Sequence, residues 1–209
     1  MIRRLLLPCI VTLVLAHVAV AIDRWSWQAF AGPFARWQVS SLPFYAACTV
    51  FGLLAALAMP HLAKVPWRSR RADLLVRAIV LAGAALMYMP SLVRLGELHM
   101  PASTLGFIAG AVAAPVVEEW VFRGLLWNAI ARAVATQRRG SIITIVVTSL
   151  AFGFFHMAFE GYTWLTLGNA FVHAGFGALM ALARCRLGGI AFGCAVHGAG
   201  NALWLLTAS

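Results

Sequence analysis

Charge is what this chain has least of. Only 11% of its 209 residues are charged, against about 25% in a soluble globular domain. The acids number six, Asp23, Asp73, Glu97, Glu118, Glu119 and Glu160, and Lys64 is the single lysine among 16 basic residues. Cysteine is also thin. Cys9, Cys48, Cys185 and Cys194 form no Cys-x-x-Cys pair, which leaves neither a disulfide framework nor a cysteine zinc site. The chain contains no Gly-x-Ser-x-Gly and no His-Glu-x-x-His. Ser103, Ser141 and Ser149 therefore lack the setting of a nucleophile elbow, and the zincin pattern is missing. No repeat of fixed period and no low-complexity tail is present.

What fills the space is apolar. Hydrophobic residues make up 63% of the chain, more than a soluble domain of this size can hide from water. A spanning helix needs ~20 mostly apolar residues. Candidate spans are 5–22, 42–63, 74–93, a stretch starting near 101, 142–159, 163–183 and 189–207. The expected fold is all-α, a polytopic transmembrane helix bundle of about seven spans, with six to eight as the range. The fourth is either one long tilted helix running through Glu118, Glu119 and Arg123 towards Arg132, or two pieces broken at Pro115.

The net charge of +10 would point to nucleic acid in a soluble protein, but no nucleic-acid motif or basic stripe supports that. A positive-inside bias explains it better. With the N-terminus cytoplasmic, twelve basic residues fall inside (Arg3, Arg4, Lys64, Arg68, Arg70, Arg71, Arg77, Arg132, Arg138, Arg139, Arg184, Arg186) and three outside (Arg24, Arg36, Arg94). An odd number of spans then places the C-terminus outside. Trp25, Trp27, Trp37, Trp164 and Trp204 gather near the outer boundary and Trp67 near the inner one, as aromatic belts do. Residues 1–21 also fit a signal peptide, with Arg3-Arg4 ahead of an apolar run and Ala19-Val20-Ala21 at its end. Cleavage there would leave the remaining topology unchanged. The expected location is a bacterial inner membrane, and the expected partner on this evidence is the bilayer, not nucleic acid.

Ionisable groups inside a bilayer are costly and are functional candidates by default. Glu118 and Glu119 are the acids set deep in an apolar run. Glu119 and Arg123 are spaced i,i+4 with the acid first, the favourable order for a helical ion pair. Glu118 points about 100° away on an ideal helix, so one carboxylate can be neutralised while its neighbour faces something else. The bland alternative is that both acids tie helices together through Arg123. His156 follows Phe152 by four residues. His197 and Asn201 share one face, which Gly189 and Gly193 extend as a close-contact stripe. Asn169, His173 and Gly177 form a similar stripe. His17, His61 and His99 read as packing residues.

A carboxylate with a neutral imidazole can hold a water and remove its proton. A second imidazole and a carboxamide can stabilise an oxyanion. Glu118, His156, His197 and Asn201 supply that set, and the chemistry implied is hydrolysis of an acyl bond, most plausibly a peptide, inside the membrane. Two other readings stay open. Glu118, His156 and His197 are also a plausible zinc set, and a non-enzymatic immunity or carrier protein would use the same groups to bind a partner or protons. Depth sets a condition on the first reading. On the seven-span map His156 lies nearer the outer side, so tilt or a shorter span must bring it level with Glu118.

Glu118-Glu119-Trp120-Val121-Phe122-Arg123 resembles the Glu-Glu-x-x-x-Arg motif of the CAAX protease and bacteriocin-processing family, also called the Abi family. Phe152-x-x-x-His156 and His197-x-x-x-Asn201 resemble its later motifs, in the same order, and the likeness covers about residues 100–205. That family is similar in kind to the type II CAAX prenyl endopeptidases, glutamate-type intramembrane proteases long described as metalloproteases. The resemblance implies Glu118 and His156 as the water-activating pair, His197 and Asn201 as the oxyanion site, and Glu119 and Arg123 as supporting residues, with no resident cofactor. It implies a catalytic core over residues 101–209. Residues 1–100 stand outside it as further transmembrane helices with a substrate-selecting part. No role carries onto His173.

Overall fold

The computed structural model describes residues 65–67, 73–98, 104–136, 138–160 and 164–207, and the described residues are helical with no strand. The spans expected at 5–22 and 42–63, the tryptophan-rich loop between them, and His17, His61 and His99 lie outside the described residues.

Helix α1 spans Leu74–Met87. Asp73 caps it, its carboxylate accepting from the Val76 amide at 3.1 Å, which satisfies one of the orphan donors at a helix start. Val76, Val80 and Ala84 recur every four residues and form its buried stripe. The opposite side leaves Leu74, Leu75 and Leu86 exposed, as a lipid-facing surface would. After Tyr88 comes the short α2, Met89–Leu92, with Pro90 in its first turn.

The fourth expected span settles as unbroken helix, described from Thr104 to Ala133. It runs as α3 (Thr104–Ile108), a π-helical segment (Ala109–Ala113), α4 (Ala114–Glu119), a second π-helical segment (Trp120–Leu126) and α5 (Trp127–Ala133). Pro115 does not break it. Proline removes one N–H and crowds the carbonyl four residues back, here Ala111, and the wide turn that holds Ala111 relieves that clash. The Ala111 carbonyl instead lies against Gly198, where a Cβ would come to 2.6 Å of it.

Helices α6 (Gly140–Glu160) and α7 (Trp164–Leu187) pack closely against each other. Small residues permit this. A Cβ on Gly153 would strike the Ala170 carbonyl and lie 2.9 Å from Ala174 Cβ. Thr144, Thr148 and Ser149 donate their hydroxyls to the carbonyls of Gly140, Thr144 and Ile145 at 2.8, 2.8 and 2.6 Å, so these polar groups cost little in an apolar setting. Gly188, at φ 79°, ends α7 in the left-handed region that favours glycine. Helix α8 follows at Ala191–Thr207. Its first amide donates to the Trp67 carbonyl at 3.0 Å, so the 65–67 segment caps it.

Two of the described helices, over 140–157 and 164–187, are long and apolar enough to cross a membrane. The seven-span count thus reaches beyond what the described residues establish. The boundaries also shift: α7 continues four residues past the expected end at Ala183, and α8 starts two residues later than Gly189. Trp164 is the most exposed large apolar side chain among the described residues and Trp204 is exposed as well, as belt residues would be.

Candidate active site

The core beneath the site is aromatic. Phe122, Phe152, Phe155 and Phe176 are buried together with Met180 and Leu187. Phe122 meets Phe152 and Phe155 edge-on at 5.2 and 5.1 Å. Phe152 is its hub: its ring lies 4.6 Å from that of His156 and 5.8 Å from that of His197, and Arg123 sits over its face at 4.3 Å. The three segments picked out by residue type, around Glu118, Phe152 and His197, therefore meet at one place.

Glu119 and Arg123 form the expected i,i+4 ion pair at 3.1 Å, with 1% and 0% of their side chains exposed. Arg123 is fixed further. Its Nη2 donates to the Gly177 carbonyl at 3.0 Å, and its own carbonyl accepts from Arg184 Nε at 3.1 Å. Gly177 must be small here, since a Cβ would lie 3.1 Å from Arg123 Nη2 and 3.2 Å from Phe152 Cδ1. Gly193 presents bare backbone to Glu119 in the same way, a Cβ there reaching 3.1 Å from Oε2.

His197 joins the two carboxylates. Its Nδ1 is 3.2 Å from Glu119 Oε1 and its Nε2 is 3.7 Å from Glu118 Oε2. The first is a hydrogen bond; the second is an ion-pair distance beyond hydrogen-bond length. The expectation that Glu118 and Glu119 look in separate directions is thus met only in part, because one imidazole reaches both acids through its two nitrogens. His197 also has a partner the residue pattern did not assign it, since Nδ1 is committed to Glu119.

His156 Nδ1 bonds the Phe152 carbonyl at 2.9 Å. A carbonyl only accepts, so Nδ1 carries the proton and Nε2 keeps a lone pair. The His156 ring stacks on His173 at 4.0 Å and 14°. His173, given no role by motif, thus lines the site, as does Gly177 from the same stripe, whereas Asn169 is exposed. Asn201 donates from Nδ2 to the Gly110 carbonyl at 3.0 Å and accepts at Oδ1 from the Tyr88 hydroxyl at 3.3 Å. Tyr88 was absent from the candidates. It lies 113 positions from Asn201, and no spacing rule links the two.

The zinc set needs Glu118, His156 and His197 to converge on one point. Among the described residues no three His, Cys, Asp or Glu side chains are arranged to hold a metal ion.

No curated protein and no solved structure matches the chain significantly. A family profile does match, over residues 100–203, and it is described as Type II CAAX prenyl endopeptidase Rce1-like. The matched segment contains Glu118, Glu119, Arg123, Phe152, His156, His197 and Asn201. Through this segment the chain belongs to the Rce1-like family of CAAX-type, membrane-embedded proteases.

Proposed function

We propose that the chain is a glutamate-type intramembrane endopeptidase acting on a membrane-associated protein or peptide. The observation that carries this is the meeting of Glu118, Glu119, His156 and His197 around the Phe152 ring, in a segment that matches a protease family. Glu118 acts as general base. His156 assists through Nε2, which can accept a hydrogen bond from the attacking water because Nδ1 is held by the Phe152 carbonyl.

The water oxygen bonds to the scissile carbonyl carbon and its proton passes to Glu118. The carbonyl oxygen becomes an oxyanion, held by His197 Nε2–H and the Asn201 carboxamide. Collapse breaks the C–N bond, and the proton returns from Glu118 to the leaving amine. For Nε2 of His197 to donate while Nδ1 faces Glu119, either the imidazole carries two protons or Glu119 carries one. With two, the charges of Arg123 and His197 balance those of Glu118 and Glu119, a neutral group that burial tolerates better than a net charge. No step requires a metal.

The bundle sits in a bacterial inner membrane with about seven spans, the N-terminus cytoplasmic and the C-terminus outside. Residues 1–100 contribute helices that help choose the substrate.

The test is a comparison of membrane-associated peptides by mass spectrometry between host cells carrying the wild type and cells carrying Glu118→Gln at equal abundance. Accumulation of an uncleaved precursor in the variant supports the assignment and identifies the cleavage site. Matching peptide pools, with the wild-type phenotype kept, would remove Glu118 as a catalytic base.

A further inference from the structure

Tyr88 lies outside the segment that matches the family, yet its hydroxyl reaches the last residue of the proposed oxyanion site. It donates to Asn201 Oδ1 at 3.3 Å. Asn201 Nδ2 gives one N–H to the Gly110 carbonyl at 3.0 Å. With Oδ1 and one N–H both held, the carboxamide cannot rotate freely. Its second N–H has no partner among the described residues and keeps one fixed direction.

The approach of Tyr88 is built into helix α8. A Cβ on Gly200 would overlap the Tyr88 ring at Cε2 and Cζ, so the residue before Asn201 must be glycine for the ring to lie there. The same ring meets Phe176 edge-on at 5.8 Å, and Phe176 meets His197 at 5.0 Å. Tyr88 thus touches Asn201 directly and braces His197 through one aromatic neighbour. It stands at the junction of α1 and α2, where Pro90 turns the chain.

We infer that Tyr88 is a positioning residue for hydrolysis: its hydroxyl fixes the Asn201 carboxamide so that one N–H is held ready for the oxyanion, and Gly200 provides the room. This rests on the proteolytic reading above and on Asn201 as an oxyanion donor. A fixed donor costs no reorganisation when charge develops, which is where such donors gain their effect.

The test uses the purified full-length protein in lipid nanodiscs. The probe is a synthetic peptide spanning the cleavage site of the precursor that accumulates with Glu118→Gln. Tyr88→Phe keeps the ring against Gly200 and Phe176 and removes only the hydroxyl. Its kcat should fall about 3- to 10-fold, the effect of one ordinary hydrogen bond, with KM and thermal midpoint unchanged. In an Asn201→Ala background the same change should cost nothing more, because the group it orients is gone. Gly200→Ala, which displaces the ring, should lower kcat further than Tyr88→Phe.

An unchanged kcat in Tyr88→Phe overturns the inference, and so does an equal loss in both backgrounds, which would mark a packing role. Full activity of Asn201→Ala beside an inactive Glu118→Gln would strike the oxyanion assignment itself. Absence of any precursor would strike the proteolytic reading, and the role of Tyr88 with it.

Discussion

Two adjacent carboxylates divide the site into unlike halves. On one side Glu119, Arg123 and the Gly177 carbonyl make a closed group, with both ionic side chains shut off from solvent. On the other side Glu118 is 3.7 Å from His197, His156 is anchored through Nδ1 to the Phe152 carbonyl, and Asn201 is only partly buried. The closed half resembles a structural knot. In the open half Glu118 and His197 are buried too, but they face each other at ion-pair rather than hydrogen-bond distance. One residue of separation is enough for this difference, because Glu119 is taken up by Arg123 one helical turn on while Glu118 is left facing the later helices. The closed half also serves the open one, since Glu119 holds the imidazole that faces Glu118.

Exchanging the effects of the two halves is the sharpest way to test that division. Glu118→Gln should lower cleavage by about 10²- to 10⁴-fold, the contribution of a positioned general base, with an unchanged thermal midpoint in detergent. Arg123→Met should do the reverse in kind. It takes the guanidinium from buried Glu119 and leaves that carboxylate with His197 alone, so stability should fall by about 3–5 kcal/mol, visible as a lower unfolding midpoint and loss of monodisperse protein. If Arg123→Met folds as well as the wild type while losing activity, the closed half is not a structural knot and the comparison fails.

A smaller effect probes the scaffold that joins the halves. Gly153→Ala forces a methyl against the Ala170 carbonyl and should destabilise by about 1–3 kcal/mol, the usual cost of overpacking. Because α6 carries His156 and α7 carries Gly177, activity should decline with the α6–α7 contact. A stable Gly153→Ala with full activity would show that this contact does not set the site. The smallest expected effect is that of a chelator. Dialysis against EDTA should leave cleavage unchanged, and loss of activity restored by added zinc would replace Glu118 as base with a metal-centred mechanism.

Much of the site was legible in the chain because its chemistry is written at helical spacing. Glu119 and Arg123, Phe152 and His156, and His197 and Asn201 each sit four residues apart, and on any helix such residues share a face. Their polarity inside apolar runs marked them out. Gly193, on the same face as His197, was readable for the same reason and does lie against Glu119. Less legible was the path of the helix from Thr104 to Ala133. Pro115 signals a break in an α-helix, and only the π-helical turns show how the chain continues through it. His173 shared a stripe with Gly177, but nothing in that stripe specified a stack on His156.

The amino-acid sequence by itself determined that this protein belongs in a membrane and which short pairs of residues stand on common faces. Both follow from local physics, the length of apolar runs and the 3.6-residue period. The tertiary structure decided that His197 pairs with Glu119 across 78 positions and Tyr88 with Asn201 across 113. Those meetings depend on how closely whole helices approach. That closeness is set by particular glycines against particular carbonyls and rings, and no local period encodes which ones will meet.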